Sequence, residues 1–283
     1  MKFQYYFLKE GTRVYDRAEF VTYMSAQKYI KFEGEGQVKK AYYHDSVLDF
    51  DAVFVMGNHS VIDRIERLNP KYLDTNLYVE FELLSNTYKV NRLVDIIKEL
   101  CEKFDFVVYN PYFEDVSKFD RSLLINCFNI CKNAYKKKFD DDFVNIPRIS
   151  SDSLEKVYAY LENKEQIEQN YEDKSLDYLF VGESGTRNSY VCLDLDLSNG
   201  TIIPPGCKLV KISLDDNVYF TSFEEVYKKI GKFCEALNCG LPFNVLKIKN
   251  KYIRKINKIL TKTKFNRVMV QLKNVDFEKV LDL

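Results

Sequence analysis

The chain has 283 residues, and its 42 basic side chains are balanced by 42 acidic ones, so the formal net charge is zero. This balance gives no overall electrostatic attraction to nucleic acid or to an anionic membrane. Hydrophobic residues make up 46% of the chain and aromatic residues 15%, which excludes a disordered protein and predicts a sizeable core. The length fits one large domain or two ordinary ones.

The cysteine and histidine content bears on cofactors. Seven cysteines occur without a C-x-x-C motif or framework spacing, which is typical of small buried hydrophobic side chains in a reducing compartment. The only histidines are His44 and His59, so a Cys/His zinc site is not expected. Ligand clusters and glycine-rich nucleotide loops are also missing from the sequence. We therefore expect no bound metal, flavin, haem or nicotinamide cofactor.

Hydropathy argues against a membrane protein. No stretch approaches the roughly 18 consecutive apolar residues of a membrane span, and residues 1–11 are too short and too polar for a signal peptide. These features predict a cytoplasmic protein with no membrane partner. The abundance of Lys, Asn, Tyr, Phe and Ile is typical of an AT-rich genome, so Lys-rich stretches carry less functional information here.

Strand patterns dominate the first part of the chain. Apolar runs predict four strands, at residues 3–8, 29–32, 38–44 and 50–56. Gly34, Glu35 and Gly36 predict the turn between the second and third of these strands. Short helices are predicted over residues 17–27 and 60–68, the second ending before Pro70 because the residue before proline disfavours the helical conformation.

The clearest local pattern lies between Leu77 and Phe113. Val79, Phe81 and Leu83 alternate with polar residues, which predicts a strand with one buried face. Behind a cap at residues 85–87, seven apolar residues follow the spacing of one helical face: Val90, Leu93, Val94, Ile97, Leu100, Cys101 and Phe104. A strand is predicted directly after this helix, at residues 106–109. So short a link predicts that the helix packs across the same sheet.

The second half of the chain repeats some of these features. Predicted helices cover residues 117–139, 152–172, 222–237 and 251–260, and predicted strands cover 177–181, 189–197, 207–213 and 267–272. Phe223 to Leu237 show the same seven apolar offsets as the helix in the first half, behind a capping box at Ser222 and Glu225. This recurrence favours a duplicated unit in each half. The alternative is that any amphipathic helix on a sheet gives this pattern.

These elements predict an α+β fold with mixed or antiparallel sheets and amphipathic helices packed on one face. The acidic and proline-containing segment 141–152 is the best linker in the chain. We therefore predict an N-terminal unit at residues 1–140 and a C-terminal unit at residues 153–283, with one integrated domain as the alternative.

Two carboxylates are the strongest enzymatic candidates. Asp194 and Asp196 are two residues apart in a predicted strand and are expected to share one face with Cys192. Carboxylates at this spacing can bind Mg²⁺ in a phosphoryl- or nucleotidyl-transfer enzyme, but neither a third carboxylate nor a phosphate-binding loop is recognisable. A solvated strand face is the alternative, because Glu80 and Glu82 have the same spacing on another strand.

Two further segments are weaker catalytic candidates. Residues 182–186 contain Gly, Ser and Thr but match neither the nucleophile motif nor the phosphate-loop motif, so a hairpin turn is the better interpretation. His59 directly follows a strand, but the sequence assigns it no Cys or Ser partner. A surface histidine is the alternative to a catalytic one.

The strongest charge pattern runs from Lys247 to Arg267, with nine basic residues and no acidic one. The helical spacing predicts that one helix face carries five basic residues: Lys251, Arg254, Lys255, Lys258 and Lys262. Such a face can contact an acidic protein, the phosphates of a nucleic acid, or the acidic region 152–177 of the same chain. It can also be a solvated face only. The sequence favours a binding protein acting through this helix on a protein partner, with nucleic acid as the second choice.

Overall fold

The computed structural model describes residues 1–11, 15–33, 38–63, 65–113, 116–143, 146–214, 217–277 and 280–282. Contacts within the chain divide it into two compact units, Met1–Asp140 and Asp141–Leu283. Helices and mixed or antiparallel sheets occur in both units, so the predicted α+β class is confirmed. The turn predicted at Gly34–Gly36 lies outside the described residues.

The first unit is built on a six-stranded antiparallel sheet. Its strands are β1 Lys2–Glu10, β2 Ile30–Glu33, β3 Lys39–Asp45, β4 Phe50–Met56, β5 Tyr72–Glu82 and β6 Val107–Tyr109. Its helices are α1 Arg17–Ser25, α2 Thr87–Phe104 and α3 Arg121–Lys138. The strand order is β2-β3-β4-β5-β1-β6, so α2 leads from β5 to a strand two positions away in the same sheet. Helix α2 and its two strands form a split β-α-β unit.

Helix α2 forms as the sequence predicts. The side chain of Asn86 accepts a hydrogen bond from the backbone N–H of Tyr88 at 2.8 Å and caps the helix. All seven apolar residues of the predicted face are buried. Helix α3 covers the same sheet, because Phe128 contacts the rings of Phe3 and Phe81, and the Tyr5 hydroxyl donates to the carbonyl of Leu124 at 2.6 Å.

The helix predicted over residues 60–68 is wrong, because this segment contains only a 3-10 turn at Ile65–Arg67 in its described part. Ile62 is buried against Tyr6 and Leu8 on the sheet face opposite Phe3 and Phe81, with Ile65 and Leu68 beside it. Packing on this face therefore decides the conformation of the segment, and the local apolar pattern does not.

The described residues of the second unit form sheets of five, three and two strands. Its strands are β7 Arg148–Ile149, β8 Tyr178–Glu183, β9 Ser189–Asp194, β10 Ile202–Ile203, β11 Leu209–Leu214, β12 Asn217–Ser222, β13 Cys234–Leu237, β14 Val245–Ile248, β15 Leu272–Asn274 and β16 Leu281–Asp282. Its helices are α4 Ser151–Tyr171, α5 Phe223–Ile230 and α6 Ile253–Lys262. The sheets have the orders β12-β11-β9-β8-β15, β10-β14-β13 and β16-β7. Helices α5 and α6 pack in one core with Leu193, Val210 and Ile212.

The helix predicted over residues 222–237 is wrong in its second half. Helix α5 ends at Ile230, a 3-10 turn covers Gly231–Phe233, and β13 follows as an antiparallel partner of β14. A Cβ atom at Gly231 would lie only 3.0 Å from the ring of Tyr227, and residues 234–237 pair along their whole length with β14 on one side. The seven apolar offsets that favoured two related halves therefore lie on one helix in the first unit. In the second unit they extend over a helix, a 3-10 turn and a strand.

Two further boundaries differ from the sequence prediction. The strand predicted over residues 267–272 is found as β15, which begins only at Leu272. The predicted linker 141–152 contains β7 and the first residues of α4. Both differences arise because distant strands, β8 and β16, supply the backbone partners.

Candidate functional site

The predicted basic face is exposed to solvent. The helix expected from residue 251 begins as α6 only at Ile253, so Lys251 lies in the 3-10 turn Asn250–Tyr252 before it. The side chains of Ile256 and Leu260 are buried in the core of the second unit, which fixes the orientation of the helix. All five basic residues of the predicted face are exposed: Lys251, Arg254, Lys255, Lys258 and Lys262. Opposite burial of apolar and basic residues is what the helical spacing requires.

None of these five basic side chains forms an ion pair within the described part of the chain. In the acidic region 152–177, Asp152 and Glu168 pair with lysines of α4, and Asp173 pairs with Lys247. The sequence left open a pairing between the basic helix and this acidic region. Within the described ranges, the residue of the basic stretch that forms such a pair is Lys247, at its start.

Lys247 belongs to a largely buried network that joins the end of α4 to β14 and to the residue before β10. Its ammonium lies 3.1 Å from a carboxylate oxygen of Asp173 and donates to the carbonyl of Tyr171 at 2.9 Å. The hydroxyl of Thr201 donates to the same carboxylate at 2.6 Å. Burial alone would raise the pKa of Asp173, but these hydrogen bonds and the Lys247 charge outweigh it and hold the pKa below its ordinary value. Lys247 thus has a structural role.

The charges at the start of α6 are unfavourable for the helix itself. The first turn contains Arg254 and Lys255, contains no acidic residue, and has no side-chain cap at Tyr252. The N-terminal end of a helix carries a partial positive charge, so each cation there costs about 0.3–1 kcal/mol at low salt. Helix stability therefore does not explain this charge pattern.

Aromatic rings add a sixth basic residue to this surface. The ammonium of Lys255 lies 5.2 Å from the ring centre of Phe233, and that of Lys232 lies 5.3 Å from the same ring. Phe233 in turn contacts the ring of Tyr252 at 5.1 Å. Cation–π contacts of this kind hold both lysines in place. We define the basic face as the exposed residues Lys232, Lys251, Arg254, Lys255, Lys258 and Lys262.

The paired carboxylates lie in a different arrangement from the predicted one. Strand β9 ends at Asp194, so Asp196 is in the following turn, and the prediction that both share a strand face is wrong. Asp194 is 2.8 Å from the ammonium of Lys211 on β11. Asp196 accepts hydrogen bonds from the hydroxyl and the backbone N–H of Ser198, which lower its pKa and stabilise the turn. Both carboxylates therefore have local structural partners.

The two weaker catalytic candidates have simple surroundings. Gly182 lies at the end of the antiparallel hairpin of β8 and β9, with Gly185 at φ +81° in the connecting turn, so the predicted hairpin is confirmed. His59 is exposed in the loop after β4, and no hydrogen bond or ion pair to it is found in the described ranges.

Across the described residues, no three His, Cys, Asp or Glu side chains form a group that could hold a metal ion. None of the helices in the described ranges combines the length and the apolar character needed to cross a membrane. Comparisons with models of protein families, with curated proteins and with solved structures found no match.

Proposed function

We propose that this protein is a cytoplasmic binding protein whose basic face docks on an acidic segment of a protein partner. The observation that carries this proposal is the accumulation of unpaired cations in the first turn of α6, where they are unfavourable for the helix. An external acidic partner would compensate this cost. The cytoplasmic location rests on seven free cysteines, which fit a reducing compartment.

A protein partner is favoured over nucleic acid by two features. The chain as a whole is neutral, so it lacks the long-range attraction to phosphates that nucleic-acid-binding proteins use. The basic face also contains only one arginine, Arg254, whereas arginine is the preferred side chain for bidentate phosphate recognition. The magnesium-dependent transfer enzyme has no specific observation in its favour, because Asp194 is paired with Lys211.

The proposal is tested by capture of partners from a lysate of the source cells. Wild type is compared with the double variant Lys255→Glu/Lys258→Glu, and with the control Lys208→Glu/Lys273→Glu, which reverses two exposed lysines outside α6. We expect the α6 variant to lose acidic proteins that wild type and control both retain. Identical partner lists from all three proteins would show that the basic face is only solvated.

Salt dependence distinguishes the two classes of partner. For a nucleic acid contacted through about four phosphates, the logarithm of the affinity falls with the logarithm of the salt concentration with a slope of about −3 to −4. For an acidic protein the dependence is milder and acts mainly on the association rate. The steeper slope would contradict the proposed partner class.

A further inference from the structure

A groove of about 450 Å³ opens on the surface of the first unit, in a part of the chain without a sequence motif. It lies between the first residues of β1, the turn after β6 and the last two turns of α3. Its volume falls in the range of sites for small organic ligands, about 300–1,000 Å³. The whole lining belongs to one unit, so the groove is defined within that unit alone.

The walls of the groove are apolar and aromatic. Buried Phe3 and Leu83 lie at its floor, and Tyr135 and Phe139, whose ring centres are 4.6 Å apart, lie at the C-terminal end of α3. Two further large side chains at the groove are unusually exposed, Tyr112 by 67% and Ile130 by 69%. Exposed apolar side chains that converge on one concavity are typical of a ligand site.

Hydrogen bonds hold the wall opposite α3 in a fixed shape. Asn110 is only 2% exposed, and its amide group donates to the carbonyl of Gln4 on β1 at 2.7 Å. Its side-chain oxygen accepts from the backbone N–H of Tyr112 at 2.9 Å and from the thiol of Cys127 on α3 at 3.4 Å. One buried side chain thus ties the Tyr112 turn to both neighbouring elements. A groove that is formed before the ligand binds has less ordering entropy to lose.

The charged side chains of the lining are both lysines. Lys2 is paired with Glu82 at 2.9 Å, and Glu82 does not line the groove. Lys138 has no ion pair among the described residues, and its ammonium stays 5.2 Å from the ring centre of Phe139 at the wall of the groove. No acidic side chain occurs in the lining found within the described ranges. The groove therefore combines an apolar interior with an available cation.

We propose that this groove binds a small organic carboxylate whose body is aromatic or aliphatic. The body lies against Tyr112, Ile130 and the rings at the C-terminal end of α3, and the carboxylate pairs with Lys138. Burial of the apolar body supplies the affinity, and the ammonium supplies the preference for an anion over a neutral molecule of the same shape. This site is independent of the basic face on α6.

The test uses two probes of the same shape, 4-phenylbutyrate and its neutral amide, titrated into the full chain and followed by amide chemical shifts. We expect phenylbutyrate to shift the amides of Tyr112, Ile130 and Ala134 and to bind at least tenfold more tightly than the amide. Lys138→Glu should remove this difference between the probes. Lys137→Glu, an exposed lysine one residue away that does not line the groove, should leave it unchanged.

A second variant blocks the groove without changing its charge. Ala134 is exposed and lines the groove, so Ala134→Phe fills the space while the core of the unit stays intact. We expect it to weaken both probes at least tenfold. Equal effects of Lys137→Glu and Lys138→Glu, shifts confined to other surfaces, or no binding of either probe at millimolar concentration would overturn the proposal. Lys255→Glu/Lys258→Glu should not alter probe binding, which separates this result from the proposed function.

Discussion

Helices α5 and α6 pack in the same core but carry opposite charges in their first turns. Helix α5 is capped by Ser222, has Glu224 and Glu225 in its first turn and has Lys228 and Lys229 in its last turn. Helix α6 has no side-chain cap and no acidic residue in its first turn. The charges of α5 therefore match the helix dipole, and the first-turn charges of α6 oppose it.

This difference separates the charges that serve the fold from those that do not. Each helix is anchored by buried apolar residues, Val226 and Ile230 in α5 and Ile256 and Leu260 in α6. Because this anchoring is shared, the contrast in charge is not required by packing. We infer that the surface of α6 was shaped by an interaction outside the chain.

The largest expected effect concerns the anchoring itself. Ile256 is fully buried, so Ile256→Ala should lower the free energy of unfolding by about 3 kcal/mol, through lost burial and the cavity left behind. Chemical denaturation of the full chain measures this change. The exposed neighbour Lys258, changed to Ala, should stay within about 0.5 kcal/mol of wild type. Similar losses in both variants would mean that α6 does not depend on its apolar side.

The next largest effect concerns Lys247, which has an acidic partner within the chain, in contrast to the lysines of the basic face. Asp173→Asn leaves the largely buried ammonium of Lys247 without its counter-charge and should cost about 2 kcal/mol. Because the pKa of Asp173 is lowered in the folded state, its stabilising contribution is present above the ordinary pKa of about 4 and is lost as the pH falls through the folded value. Denaturation midpoints between pH 7 and pH 2 measure this loss.

The asparagine variant should therefore lose less stability than wild type as the pH falls below about 4. Lys258→Met serves as the comparison, because Lys258 has no ion pair in the described part of the chain and its loss should leave the acid response of wild type unchanged. Parallel acid responses of wild type and Asp173→Asn would contradict the assigned role of this carboxylate.

The parts of the fold that the sequence predicted are those in which local pattern and packing agree. In α2, a cap at Asn86 and seven residues on one face lead to the observed helix, because a single sheet covers the whole face. In residues 234–237 the same apolar spacing occurs, but β14 supplies backbone partners that no local pattern reveals. Pairing with a strand distant in sequence therefore explains why residues 234–237 were wrongly predicted to be helical.

The candidate site was predictable to a similar extent. Spacing alone placed Lys251 to Lys262 on one exposed face, since a helix with a buried apolar side must expose the other. Lys232 was missed because it reaches this surface only through the contact of Phe233 with Tyr252, nineteen positions further along the chain. The pairing of Lys247 with Asp173 was also beyond the sequence, which offers eight acidic residues between Asp152 and Asp177.

A smaller effect is expected from the cap of α5. Ser222 accepts a hydrogen bond from the backbone N–H of Glu225 at 3.2 Å, so Ser222→Ala should cost about 1 kcal/mol. Ser222→Asp keeps a side-chain oxygen at this position and adds a negative charge at the positive end of the helix, so it should retain the stability of wild type. Thermal denaturation of the three proteins gives the comparison. An equal loss in the Ala and Asp variants would show that the cap is unimportant.

The smallest expected effect on stability comes from charge reversals at the two ends of α6, and these variants also test the proposed function. Arg254 lies in the first turn of α6 and Lys262 in the last turn, and both are exposed on the basic face. Arg254→Glu should raise the free energy of unfolding by about 0.3–1 kcal/mol at low salt, because it places a negative charge at the positive end of the helix dipole. Lys262→Glu should lower it by a similar amount, because it places the same charge at the negative end.

Both changes remove a cation from the basic face, so both should weaken capture of the acidic partner despite their opposite effects on stability. Chemical denaturation at two salt concentrations, combined with capture from the lysate, measures both quantities on the same proteins. If stability changed in the same direction in both variants, the dipole would not be the cause of the cost assigned to Arg254. If Arg254→Glu kept its capture of the partner and only the less stable Lys262→Glu lost it, capture would depend on stability and not on charge. The partner would then bind a surface other than the basic face.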